Sequence, residues 1–514
     1  MRRLLLASVV VASLGALVSP VHAGPFSKLH ALQAEEAILG LDYATARNEL
    51  AAGDVDDPDV ERERGRLALY EGDCDGALMA LGHTEVMKDE EAASLADIAR
   101  GCVRVTAATV IEEDKAAQVW VRFQDEADRA LMPLIVDTVV KAREALTKDL
   151  GVTWPMPTRI VVVRDLLSLS AMTGLPYESA KTTGTVAVAK WGRVTLLSPR
   201  ASSHGYAWRD TIAHELTHLA VTRASVDRAP LWLQEGVAKR EEIRWRPPGP
   251  FDDRPSPDAI GGWGMKKKLD IALDQLGPSI AMLPSADAAM VAFAEVTSFV
   301  RYYADHAGPD ALPKLLAALR DAKPDGTRRK VDEALAFASG SALKAWDERW
   351  RKDLLSRPPE PTPSFLAHEE IPNAREMRDK VRLAELLYGR EHPDEALTEL
   401  GALKGPFLED PNVRYLRART LETLGKSDDA RALLADPKEV SASFGPWWAI
   451  RGRLARAGGD GSLADPSFAE AVAEDPLETE AACESLDLSA KPAPAKVPLC
   501  DAARSRGEPD LGRD

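Results

Sequence analysis

The residues best placed to do chemistry are His214, Glu215 and His218, within Asp210-Thr-Ile-Ala-His-Glu-Leu-Thr-His218. Four residues apart on a helix, the two imidazoles leave from one side, one turn above the other. Ile212, Leu216 and Leu219 then gather on the opposite side, where they can bury the helix. Glu215 falls beside the histidines without lining up with them. Asp210 or Thr211 is expected to cap the helix N-terminus. Two neutral imidazoles, with a carboxylate facing the remaining coordination position, suit one zinc ion, Zn2+. The bland alternatives are a core helix that carries the pattern by coincidence and a metal site without catalysis.

A catalytic zinc usually takes three protein ligands and keeps one position for water. Sixteen residues separate His218 from Glu235, room for a turn and the start of an antiparallel second helix. Pro230 favours a helix start near Leu231. Leu231, Glu235 and Ala238 then share a face, and Gly236 lets that helix approach a neighbour closely. Glu235 is therefore the expected third metal ligand.

His214-Glu-x-x-His218 followed by Trp232-Leu-x-Glu235-Gly resembles the gluzincin group of metallopeptidases, which includes thermolysin and the zinc aminopeptidases. The longer runs Leu196-Leu-Ser-Pro-Arg200, Asp210 to His218 and Pro230 to Lys239 are similar to its bacterial peptidase-MA-like branch. The resemblance implies a zincin-like α+β core over residues 118–356, hydrolysing peptide bonds in a peptide or protein substrate. In that reading zinc on His214, His218 and Glu235 brings the pKa of its water toward neutrality. Glu215 is the catalytic base that takes the water proton and passes it to the leaving amine.

Two positions depart from the family pattern. The tyrosine that the aminopeptidases supply after the third ligand aligns with Phe293, so either Tyr206, His204, Tyr302 or Tyr303 stands in or turnover is weak. Lys239, four residues after Glu235, cannot be the carboxylate that orients a histidine in thermolysin-like enzymes. Arg240, Glu241 and Glu242 read as solvated helix surface. No Gly-x-Met-Glu-Asn element for gripping a free amine is present, which favours an endopeptidase. A helical-repeat binding scaffold with a degenerate metallopeptidase domain is the alternative, and a zinc hydrolase acting on another bond has no motif of its own.

Around this centre, 514 residues with 45% apolar and 28% charged content describe a folded chain of several domains. The net charge of −16 excludes a nucleic-acid partner, since phosphate binding needs a basic surface. Arg2-Arg3, the apolar run Leu4 to Val18 and Val21-His-Ala23 form an expected signal peptide over 1–23. The chain is then exported, periplasmic or extracellular, with no membrane span after signal cleavage. Cys74–Cys102 and Cys483–Cys500 are plausible local disulfides, with free buried thiols as the alternative.

The overall expectation is multidomain and mostly α, an α+β core with tetratricopeptide-like helical repeats on both sides. Residues 24–117 read as helical, with almost no strand signal before Gln118. Leu41 to Ala46 and Gly72 to Ala77 look like two degenerate repeats, or one unrelated bundle. Strands are expected at 118–123, 159–163, 185–189 and 194–197, the last two a hairpin around Lys190-Trp-Gly-Arg193, with a helix over 125–150. That hairpin is either the sheet edge along the cleft, pairing with substrate, or an ordinary internal pair. Residues 247–264 read as a loop and 265–355 as helical. Pro358 to Pro363 lie in a linker, 357–373. Ala396 and Ala430, 34 residues apart, mark repeats over 374–488 that could hold a protein partner, and 489–514 read as a tail. Trp232 reads as core, and His30, His83, His306, His368 and His392 show no ligand spacing.

Overall fold

The computed structural model describes residues 25–154, 157–201, 206–248, 252, 256–277, 279–357, 373–408, 410–435, 445–476, 479–484 and 500–501. The expected signal peptide, the proline-rich linker except Arg357 and Asn373, His204, and nearly all of the tail lie outside them. The described chain is mostly helical, with 22 α-helices and five strands.

The strands are β1 (Val110–Asp114), β2 (Val119–Phe123), β3 (Thr158–Val163), β4 (Ala187–Lys190) and β5 (Arg193–Leu197), in spatial order β1-β2-β3-β5-β4. The three central strands are parallel, and β1 and β4 pair antiparallel on the outside. The helix Met132–Leu150 makes the crossover from β2 to β3, as parallel neighbours require. Alternation along the strands divides two cores. Val119, Val121, Phe123, Ile160, Val162, Val194 and Leu196 pack with Ile135, Val139, Ile212 and Leu216. Val161 and Val163 face the other way, against Leu95, Cys102, Leu169 and Met172.

Three expectations need correction. Residues 110–114 are a strand, not helix, so the sheet begins before residue 118. Its Glu112, Glu113 and Asp114 hid it, because an edge strand half open to water carries charge without penalty. The loop expected over 247–264 contains a helix, Pro257–Lys267, with Pro257 in the first turn and Ser256 as its cap. A proline there loses no helical hydrogen bond. Neither Asp210 nor Thr211 caps the histidine helix. It starts at Trp208, Thr211 Oγ1 donates back to Ala207, and Asp210 pairs with Arg246 and Trp245.

The N-terminal helices are not a separate body. Ala34, Ile38, Ala46 and Leu50 share one core with the sheet and the histidine helix. Asp42 and Asp73 cap helices at Thr45 and Gly76, which seats Ala46 and Ala77 fully inside. The C-terminal helices form three pairs, whose second helices start at Pro393, Ser427 and Gly461 at the 34-residue interval. Ala396, Ala430 and Ala464 are all fully buried at that spacing. The last of these helices, Gly461–Glu474, reaches back to the start of the histidine helix. There Val472 packs on the central core, and Glu474 sits in the field of Asp210, Arg246 and Arg209.

Both disulfides are formed, Cys74–Cys102 and Cys483–Cys500, which removes the free-thiol alternative. They fit an oxidising compartment. Among the described residues no helix is long and apolar enough to cross a membrane.

Candidate metal centre

Two helices build the centre. The histidine helix (Trp208–Ser225) buries Ile212, Leu216 and Leu219 and turns His214 and His218 to the other side. The glutamate helix (Leu231–Glu241) starts directly after Pro230. Val226 and Asp227, both at positive φ, make the sharp turn between them. Gly236 fixes how deep the glutamate helix sits. A Cβ there would lie 2.4 Å from Val300 Cγ2 and 2.5 Å from the Val296 carbonyl oxygen, so only glycine permits this approach. Trp232, 1% exposed, is core and meets Phe299 edge-on.

The three expected ligands come together. His214 Nε2 and His218 Nε2 are 3.2 Å apart, and each lies 3.5 Å from Glu235 Oε2. Among the described residues this is the group of histidine and carboxylate side chains arranged to hold a metal. Ligands about 2.0–2.1 Å from a tetrahedral zinc are about 3.3–3.4 Å from one another, so the spacing fits such an ion without rebuilding. It does not single out zinc among divalent metals.

The outer nitrogens support the same conclusion. His214 Nδ1 lies 3.1 Å from Glu242 Oε2, and His218 Nδ1 lies 3.3 Å from Gln234 Oε1. An acceptor at each Nδ1 places the ring proton there and leaves both Nε2 lone pairs facing the centre. Lys239 Nζ holds the other Glu242 oxygen at 2.6 Å, and Gln234 Nε2 reaches Thr222. Glu241 is 2% exposed, beside Arg240, Arg244 and Asp149. Residues 240–242 are therefore not a solvated surface, contrary to expectation. Glu242 follows Glu235 by seven residues, two turns along one face, and that spacing is the signal that could have found it.

The electrostatics of these side chains suit a cation. Burial works against charge on Glu235, yet His218 and His214 hold its carboxyl far below the usual range. Burial likewise opposes charge on Glu242, but Lys239 and His214 bring it down to about 2. Burial pushes His214 down, and Glu235, Glu242 and Glu215 outweigh it, lifting the imidazolium to about 10. Glu215, 7% exposed, goes the other way: burial raises it despite the two histidines and a backbone hydrogen bond from Ala189. Three carboxylates around two imidazoles need positive charge, from protons or from a metal ion.

The three tyrosines considered as substitutes are engaged elsewhere, and His204 lies outside the described residues. Tyr206 OH donates to the Leu197 carbonyl at 2.5 Å. Tyr302 stacks on His306, and Tyr303 lies in the core against Trp346. Phe293 packs against the central core. The β4–β5 hairpin turns at Trp191 and Gly192, both at positive φ as a two-residue turn of this hand requires. β4 is the sheet edge. Leu197 N–H donates to the Val186 carbonyl, so Val186, Val188 and Lys190 face β5 while Ala187 and Ala189 turn their backbone groups outward.

The chain matches no protein-family model and no curated protein.

Proposed function

We propose that this chain is an exported, zinc-dependent peptidase of gluzincin type, built on a zincin-like core and flanked by tetratricopeptide-like helix pairs. The convergence of two Nε2 atoms and Glu235 Oε2, with both Nδ1 atoms occupied, carries the reading. His214, His218 and Glu235 would hold the ion, which when bound supplies Lewis-acid polarisation and acidifies water. Glu215 receives the proton on its carboxylate, whose raised proton affinity and hydrogen bond from Ala189 suit a base that must also give the proton back. The outward backbone groups of Ala187 and the outward carbonyl of Ala189 can pair with an extended substrate strand and lay its carbonyl along the histidine helix. Lys239 and Glu242 keep the His214 ring turned toward the centre.

The decisive experiment is metal analysis of wild type and E215Q beside a peptide-library digest. Zinc at one ion per chain in both proteins, with cleavage by wild type alone, is the expected result. Equal cleavage by E215Q would overturn the mechanism. A second reading, a binding scaffold on a non-catalytic metal domain, is favoured by Phe293 and by the engagement of Tyr206 with Leu197. Stoichiometric zinc without any cleavage would select it.

A further inference from the structure

A patch of positive charge, buried at Arg193 and half-buried at Arg122 and Arg159, lies on the sheet face turned away from the histidine helix. The strand register places Arg122 of β2, Arg159 of β3 and Arg193 of β5 on that one face. Arg193 is 1% exposed. Its Nη1 donates to the Leu69 carbonyl at 2.5 Å and its Nη2 reaches Cys102 Sγ at 3.6 Å, while its Nε is buried without a partner. Arg159 Nη1 is likewise buried and unpartnered, and that guanidinium lies 5.7 Å from the Tyr43 ring centroid.

Two neutral donors complete the set. The Tyr43 hydroxyl and Trp191 Nε1 are also buried with no hydrogen-bond partner. Tyr43 abuts the hairpin turn so closely that a Cβ on Gly192 would come within 2.0 Å of its hydroxyl. Tyr70 packs edge-on against Trp191. Four open donors thus collect around the Lys190–Arg193 turn, and among the described residues no carboxylate is bonded to Arg159 or Arg193.

A buried guanidinium without a counter-charge is strongly disfavoured. A buried water could accept from the donors but would leave the charge uncompensated. An anion that accepts several hydrogen bonds at once answers both requirements. Burial and the neighbouring arginines also push Arg193 down to about 10, the direction a nearby anion would reverse. We propose that Arg159, Arg193, Tyr43 and Trp191 form a binding site for one small tetrahedral oxyanion of the phosphate or sulfate class. Tyr43 and Tyr70 crowd against Gly192, so the ligand proposed is the free ion rather than a phosphoryl group on a larger molecule. The ion ties the N-terminal helices to the hairpin whose other strand, β4, is the sheet edge beside Glu215.

The test is thermal unfolding of the full chain in phosphate, sulfate and chloride at equal pH and ionic strength, with equilibrium dialysis against labelled phosphate. Wild type, R159M and Y43F are compared. The expected result is a saturable rise in midpoint with phosphate and sulfate and one ion per chain. Binding should weaken at least tenfold in R159M and a few-fold in Y43F. A wild-type midpoint that is the same in all three salts would overturn the site. So would phosphate binding that persists unchanged in both variants, since the ion would then sit elsewhere, as at the histidines. If R159M does not fold, the Y43F comparison decides alone.

Discussion

Lys239 and Glu242 stand one helical turn apart, and the lysine ammonium grips one carboxylate oxygen at 2.6 Å while the other meets His214 Nδ1 at 3.1 Å. A cation thus fixes an anion that fixes a ligand. E242Q keeps an acceptor but loses the charge-assisted contact, so metal affinity should fall about 10–100-fold. K239M should produce a smaller loss in the same direction. Competition titration with a chromophoric chelator reads both. Unchanged affinity in E242Q would mean that Glu242 does not orient the ring.

Ala189 joins the sheet edge to Glu215, the proposed base. Proline at this position removes an outward N–H that the sheet does not use, so the hairpin should survive. The hydrogen bond to Glu215 would be lost. For A189P we expect kcat/KM on an extended peptide about 10–100-fold below wild type, equivalent to about 1.4–2.7 kcal/mol. Metal content should be normal. Steady-state kinetics with zinc analysis checks both halves.

Gly236 tests the packing that delivers Glu235. In G236A the methyl group collides with Val300 and with the Val296 carbonyl, and the latter, as backbone, cannot swing aside. A stability loss of about 2–3 kcal/mol is expected, accompanied by weaker metal binding as the glutamate helix moves out. Chemical denaturation and metal titration should shift together. A loss of stability at full metal affinity would show that the helix does not transmit the strain.

Glu295 gives a pH signature of its own. It is 1% exposed, accepts a weak bond from Ile271 N–H at 3.3 Å, and its Oε1 has no partner. Burial lifts its pKa from 4.5 to about 8. The folded chain therefore keeps a proton that the unfolded chain releases. Its contribution is fully present below about pH 4.5, declines as pH rises, and is gone above about pH 8. E295Q should abolish this slope and gain about 4 kcal/mol over wild type between pH 5 and 8.5. Urea midpoints across that range measure it. Parallel pH profiles would refute the assignment.

The parts of this architecture that could be read from the sequence are those set by local spacing. The four-residue histidine interval, Pro230 before the glutamate helix, Gly236 at the helix crossing and the Lys190–Arg193 turn each announce themselves within one or two turns of chain. The local cysteine pairs were legible for the same reason. What escaped depended on contacts distant in sequence. β1 looks too acidic for a strand until it is known to be an edge, and Asp210 looks like a cap until Arg246 arrives to claim it. Glu242 looks solvated beside Arg240 and Glu241, and only its seven-residue interval from Glu235 hints that its side chain turns toward His214. The arginine patch is invisible as a sequence motif, since its three members come from three strands joined only by register.

The proline-rich segment after Arg357 looks like the natural place to divide the protein, but the reach of Gly461–Glu474 back to the histidine helix argues otherwise. Removing everything beyond the linker would strip Val472 from the central core and leave Arg209, Arg246 and Asp210 without the helix that now encloses them. That cluster lies one helical turn before His214. The C-terminal helix pairs are therefore a brace for the half that carries the histidine helix as much as an appendage to it, and a fragment ending at the linker is expected to be a poor stand-in for the whole.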